Sequence, residues 1–187
     1  RNRVVSFQSS FLARLTATGA TAHLDFIDAK GKKGVDLGIE AKMTREGTQL
    51  HMTPLNPIIA YRRFTLNEDN YVELTREGRV LALVDLLADD GTGLKLYSTP
   101  NEDALQDISL SLNNINMAEL TSVMPYAPQL GGLLHGDLHY MQADSATTLS
   151  TDIGIRRMNY EGTPMGDMGL NAIYFPNTDG SHHVDAM

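Results

Sequence analysis

Three side chains on one predicted strand have the residue types and spacing of a metal site. His135, Asp137 and His139 stand at alternate positions, so on a β-strand they share one face. Imidazole and carboxylate groups are ligands for zinc. Alternate side chains lie roughly 6–7 Å apart, so a common ion requires local curvature. No further ligand cluster completes the set, and we therefore expect these residues to face solvent with no ion between them.

Other chemistry-bearing patterns do not assemble into a catalytic motif. Residues 89–93 (DDGTG) have the composition of an aspartic-protease loop, but the order is wrong and suits a hairpin turn. The sequence contains no nucleophile elbow, phosphate-binding loop or zinc-protease motif. It also has no cysteine, which excludes disulfides and thiolate nucleophiles. We expect a protein that is not an enzyme and that needs no metal or cofactor.

Composition narrows the classes of partner. The 187 residues include 15 basic and 23 acidic side chains, which gives a net charge of −8. Nucleic acids and anionic membrane surfaces attract clustered Lys and Arg, so neither is an expected partner. The sequence has no apolar run of about 18 residues that would span a membrane. Strand-like sequence at both ends predicts a piece of a longer β-structure, whose anchor and targeting signals lie outside it.

Alternation of apolar and polar residues dominates the chain and predicts β-strands with one apolar face. Glycine-bearing turns separate these runs, and no Ser-rich or Pro-rich linker divides them. We therefore predict that residues 1–187 form a single continuous, mainly antiparallel sheet segment. Residues 80–84 (VLALV) are apolar at every position and predict either its most enclosed strand or a strand with a second layer over it. The strictest alternation occurs at Val35, Leu37, Ile39 and Met43, and at Ile108, Leu110 and Leu112.

One stretch departs from this pattern and predicts a short helix near residues 117–124. Asn116 has the side chain of an N-cap, and Glu119 stands where its carboxylate can reach back to the capping residue. A helix of about two turns is not stable alone, so we expect it to brace the sheet through a buried apolar stripe. The stripe consists of Leu120, Val123 and Met124.

Four segments carry a family resemblance, through the order of their strands, turns and short helix. They are residues 56–74 (NPIIAYRRFTLNEDNYVEL), 89–100 (DDGTGLKLYSTP), 105–140 (LQDISLSLNNINMAELTSVMPYAPQLGGLLHGDLHY) and 159–185 (NYEGTPMGDMGLNAIYFPNTDGSHHVD). Together they resemble the TamB family, a member of the AsmA-like superfamily, in its Bacteroidetes-type form. The resemblance covers most of the chain from residue 56 onward.

The resemblance implies an extracytoplasmic protein of diderm bacteria, anchored in the inner membrane by a helix outside this chain and crossing the periplasm. Proteins of this family form a long, curved, taco-shaped sheet with an apolar concave face. The implied role is outer-membrane biogenesis, through phospholipid passage between the membranes, assembly of outer-membrane proteins, or both. An Omp85-type outer-membrane protein is the implied partner, reached through other parts of the full-length protein.

Two arrangements fit the one-sided strands. In the first, an open β-taco-like sheet presents an apolar trough to phospholipid acyl chains, each buried CH₂ contributing about 0.8 kcal/mol. In the second, a closed β-sandwich packs the same faces together and acts as a non-catalytic structural or surface-binding module. The first arrangement makes the strictly alternating residues of 35–43 and 108–112 candidate groove residues. The alternation alone does not decide which apolar face lines a groove and which packs under the helix.

Overall fold

The computed structural model describes residues 8–122, 124, 126–176 and 182–186. In this part of the chain, 72% of residues are in strands and 4% are in helix. The strands form one antiparallel sheet of 14 strands that remains open. The all-β, open-sheet prediction is therefore confirmed. The closed β-sandwich is not the fold, because no second sheet packs on the first among the described residues.

The sheet is an antiparallel meander, in which strands that follow each other along the chain are neighbours in space. The elements are β1 (Gln8–Thr16), β2 (Gly19–Ile27), β3 (Lys33–Met43), β4 (Gly47–Ile59), β5 (Arg62–Arg63), β6 (Thr65–Leu66), β7 (Tyr71–Thr75), β8 (Val80–Leu87), β9 (Gly93–Ser98), β10 (Ala104–Asn116), α1 (Met117–Ser122), β11 (Leu130–Ala143), β12 (Thr147–Tyr160), β13 (Thr163–Pro176) and β14 (His182–Ala186). The order across the sheet is β1-β2-β3-β4-β7-β8-β9-β10-β11-β12-β13-β14, while β5 pairs with β4 and β6 pairs with β8.

Strand register gathers the apolar residues on one side of this sheet, which we call the apolar face. Residues directly opposite each other on neighbouring strands point to the same side. Two rows of such partners define the apolar face and meet on β8, where Ala82 and Val84 are two residues apart. The first row is Leu15, Ala20, Ala41, Leu50, Val72 and Ala82. The second is Val84, Leu96, Leu110, Leu138, Thr151, Ala172 and Ala186.

The best-buried part of the apolar face lies near β8. A cluster of buried side chains packs there, with Met52, Ile59, Val72 and Leu96 against its margin; its members are Phe64, Leu66, Val84, Leu86 and Ala88. On β8 itself, Ala82 is 2% exposed and Val84 is 4% exposed, as the apolar run at residues 80–84 predicts. Burial decreases toward the sheet edges, and every residue of β1 is exposed.

Two asparagine side chains keep the sheet continuous where β5, β6 and β7 form one interrupted strand between β4 and β8. Toward β4, Asn70 Oδ1 accepts from the Met52 amide at 2.7 Å, and Asn70 Nδ2 donates to the Met52 carbonyl at 3.3 Å. Toward β8, Asn67 Oδ1 accepts from the Asp85 amide at 2.9 Å, and Asn67 Nδ2 donates to the Leu83 carbonyl at 3.3 Å. The amide groups thus replace the missing backbone bonds of the ladder.

The helix α1 begins where the sequence predicts it and ends earlier. Asn116 Oδ1 accepts from the backbone amides of Ala118 at 3.0 Å and Glu119 at 3.3 Å, as an N-cap does. The helix packs against β10 and β11. Among the described residues, no helix is both long enough and apolar enough to cross a membrane.

The expected burial of the helical stripe is not observed in its two described members, Leu120 and Met124. Met124 is 51% exposed, because it lies beyond the end of α1 at Ser122, where helical spacing no longer places it beside Leu120. The Ser122 hydroxyl donates to the Glu119 carbonyl at 2.6 Å, a local bond typical of helix ends. Leu120 is half-buried, and Val123 lies outside the described residues.

Replacing Asn70 with alanine tests the bridging role of its side chain. Asn70 is 2% exposed, and its loss removes both side-chain bonds to Met52. We expect Asn70→Ala to lower the free energy of unfolding by about 2–3 kcal/mol, measured by urea denaturation. Asn56→Ala, at an exposed position of the neighbouring β4, is the matched control and should change it by less than about 0.5 kcal/mol. An equal loss of unfolding free energy in the two variants would contradict the bridging role of the Asn70 side chain.

Candidate functional site

The candidate groove residues from two distant strands lie on the same side of the sheet. On β3, Val35, Leu37 and Ile39 pair with apolar-face residues of β2. On β10, Ile108, Leu110 and Leu112 pair with β9 residues of the same face. The strands between them preserve the register, so the sheet brings the two sets onto one surface. Ile39 is 42% exposed and Met43 is 62% exposed, whereas the three β10 residues are half-buried.

Much of the apolar face is open to solvent in the described chain. Its large exposed side chains lie on β1–β4 and β7 toward one edge of the sheet and on β13 and β14 toward the other, while the apolar-face residues of β8–β12 are buried or half-buried. Clusters of exposed apolar side chains mark binding surfaces. The large exposed apolar residues on this face are Phe11, Leu15, Leu24, Ile39, Met43, Leu50, Leu74, Met168, Leu170 and Val184.

The apolar face deepens beside α1 into a cavity of about 300 Å³, which we call the apolar cavity. Strands β8–β11 and the helix contribute its walls. The cavity brings Leu112, a candidate groove residue, together with Leu120, a candidate brace residue. Its volume is at the lower limit of small-molecule sites, about 300 Å³. The aliphatic residues that line it include Leu86, Leu94, Leu112, Ile115, Leu120 and Leu134.

A bulge in β10 aims one of these side chains into the apolar cavity. The pairing of β10 with β11 shifts between Leu112 and Ile115, and Asn114 in this interval has a φ of 51°. A bulge adds one residue to a strand and so reverses the alternation beyond it. Leu112 and Ile115 are three residues apart and would point to opposite faces of a regular strand. Because of the bulge, both line the cavity.

An arginine lies at the edge of the apolar cavity. The Arg62 guanidinium donates to both carboxylate oxygens of Glu119, at 2.8 and 2.7 Å, which joins β5 to α1. It also donates to Thr92 Oγ1 at 2.7 Å and to the Asp90 carboxylate. The Thr92 backbone amide, and then the Thr92 hydroxyl and Arg62, hold the pKa of Asp90 below its usual value. Sequence reasoning missed this cluster, because Arg62 and Glu119 are 57 positions apart and no motif connects them.

The three residues considered for a metal site do not converge, because each faces its own neighbour on an adjoining strand. His139 Nε2 lies 2.7 Å from Asp107 Oδ1. Asp137 Oδ1 accepts from the Ser111 hydroxyl at 2.7 Å. His135 lies against Gly154, where an added Cβ would come within 2.7 Å of the imidazole. Asp137 is exposed as expected, whereas both histidines are half-buried.

A different histidine and two aspartates come together on the polar side of β2 and β3. His23 Nε2 lies 2.8 Å from Asp36 Oδ1 and 3.1 Å from Asp25 Oδ2. These groups have the donor types and the spacing of a metal site. Lys33 already supplies a cation, since its Nζ lies 3.1 Å from Asp36 and 3.7 Å from Asp25. The cluster depends on the register of Asp25 with Asp36, which the sequence alone does not reveal.

The contact between Asp107 and His139 predicts a pH-dependent stability. His139, and then Asn101, hold the pKa of Asp107 below its ordinary value. A lowered aspartate pKa adds stability above the unfolded value of about 3.9, and this stability is lost as the pH falls through the native value. We expect Asp107→Asn to lower the free energy of unfolding by about 1 kcal/mol near neutral pH. Its curve should converge with that of the wild type as the pH falls below about 4.

Asp103→Asn is the control for this measurement, because Asp103 is an exposed carboxylate in the turn just before β10. Its unfolding free energy should follow that of the wild type at every pH. If the difference in unfolding free energy between wild type and Asp107→Asn stayed constant from neutral to acidic pH, it would contradict a pH-dependent contribution from the Asp107–His139 contact.

Family models, curated proteins and solved structures were each compared with this chain, and none of them matches it. The resemblance to the TamB family therefore stays a prediction from the sequence.

Proposed function

We propose that this chain is a lipid-conduit segment, whose apolar face receives the acyl chains of phospholipids. It belongs, in this proposal, to a non-catalytic periplasmic protein of outer-membrane biogenesis that is anchored to the inner membrane outside this segment. One observation supports the proposal most strongly. The two registered rows give the 12 strands of the main path a common apolar face, and no second sheet among the described residues covers it.

The dimensions of the apolar face fit this role. Neighbouring strands are about 4.8 Å apart, so 12 strands extend over about 50 Å. The hydrocarbon core of a bilayer is about 30 Å thick, and one acyl chain reaches about half of that. The face is therefore long enough to hold more than one acyl chain in sequence. Each CH₂ that it removes from water contributes about 0.8 kcal/mol.

The chemistry of the apolar face also fits a passive conduit. Acyl chains contain no hydrogen-bonding groups, so aliphatic side chains are enough to receive them and no reactive residue is needed. The placement in the periplasm and the anchor come from the family resemblance. So does the role in moving phospholipid between the membranes, in assembling outer-membrane proteins with an Omp85-type partner, or in both.

A charge on the apolar face should prevent lipid binding. Leu110 belongs to the second apolar row, and Ser109 beside it points to the polar face. We expect Leu110→Glu to lower the phospholipid that co-purifies with the chain from diderm cells by on the order of tenfold, since acyl chains do not cover an unpaired carboxylate. Native mass spectrometry measures the bound lipid. Ser109→Glu is the matched control and should retain it.

Two results would overturn the proposal. One is the recovery of wild-type chain without phospholipid. The other is a stable protein partner on the apolar face that both glutamate variants bind equally well, which would indicate a surface-binding module instead. Circular dichroism of both variants verifies that the sheet is intact.

A further inference from the structure

A second, larger cavity, lined mostly by charged residues, borders the apolar cavity. This polar cavity has a volume of about 580 Å³ and lies at the turn that joins β8 to β9. Ala60, Arg62 and Glu119 line both cavities, so the two meet at the Arg62–Glu119 ion pair. A ligand that filled both would have an apolar part on one side of this pair and a polar part on the other.

The polar cavity contains equal numbers of positive and negative side chains. Its cationic residues are Lys32, Arg62 and Arg63, and its anionic residues are Asp89, Asp90 and Glu119. A site with balanced charge has no net attraction for an anionic headgroup. It can instead complement a headgroup that carries one charge of each sign.

Three of these charged groups are available to a ligand. Arg62 is already engaged by Glu119 and Asp90, whereas Lys32, Arg63 and Asp89 form no ion pair within the described part of the chain. Lys32 Nζ lies 5.3 Å above the ring of Tyr61, another residue of the polar cavity. Two cations for a phosphate and one carboxylate for an ammonium group therefore line the same cavity.

We propose that the two cavities form a binding site for one zwitterionic phospholipid with a phosphate and a primary ammonium group. An acyl chain lies on Leu94, Leu112 and Leu134, the phosphate meets Lys32 and Arg63, and the ammonium group meets Asp89. The proposal rests on the lipid-conduit function. It adds where on the sheet a lipid binds and which class of headgroup is bound. Since α1 supplies Leu120 and Glu119 to the cavity walls, the helix becomes part of the site as well as a brace.

Binding of three soluble lipids to the whole chain tests this site. The lipids are dioctanoyl phosphatidylethanolamine, dioctanoyl phosphatidylglycerol and uncharged dioctanoylglycerol, with affinities measured by titration calorimetry below their micellar concentrations. We expect the ethanolamine lipid to bind about threefold to fivefold more tightly than the glycerol lipid, the effect of one partly exposed ion pair.

Two variants of exposed residues separate the headgroup contacts from the fold. Asp89→Asn should abolish the preference for the ethanolamine lipid, and Lys32→Gln should weaken both phospholipids while leaving dioctanoylglycerol unchanged. Asp144→Asn is the control, because Asp144 follows the far end of β11 from Leu134. It should bind all three lipids as the wild type does.

The outcomes distinguish this site from the function on which it rests. If none of the three lipids binds, the lipid-conduit function itself is wrong. If all three bind equally, or the phosphatidylglycerol lipid binds most tightly, the conduit remains and the zwitterionic site is wrong. Unchanged lipid preferences in Asp89→Asn and Lys32→Gln would also overturn the site.

Discussion

The backbone hydrogen-bond ladder between neighbouring strands is the interaction on which this protein depends. Side chains on a strand alternate between two faces, so a shift of one residue in any pairing would move the apolar residues of that strand to the polar side. The ladder preserves this order from Leu15 on β1 to Ala186 on β14. An apolar face that extends across the whole sheet is the consequence, and the proposed function needs nothing more elaborate.

Local side-chain contacts and a bulge maintain the apolar face where the backbone hydrogen-bond ladder is irregular. Asn67 and Asn70 carry the hydrogen bonds across the interrupted strand. The bulge at Asn114 turns Ile115 into the apolar cavity. Arg62 on β5 binds Glu119 and so ties α1 to the sheet. Each of these features either supplies hydrogen bonds to polar groups or redirects a side chain. None of them covers the exposed part of the apolar face.

The sequence predicts those structural features that depend on residues close together in the chain. Alternation in residues 35–43 and 108–112 identifies one-sided strands, and Asn116 marks the start of the helix, because each of these signals acts over a few positions. Contacts that depend on register are not visible in the same way. The cluster of His23 with Asp36 and the Arg62–Glu119 pair form only once distant segments have paired. Apolar spacing that continues to Met124 predicts a longer helix than α1, which ends at Ser122.

The central claim is that acyl chains lie on one face of this sheet and not on the other. Because the chain has no cysteine, single cysteines can carry a polarity-sensitive fluorophore at adjacent positions that point to opposite faces. Ile108, Leu149 and Val184 report on the apolar face, and Ser109, Ser150 and Asp185 report on the polar face. On addition of short-chain phospholipid, we predict a shift to shorter emission wavelength at the first three positions and none at the other three. Equal shifts on both faces, or no shift on either, would contradict the account.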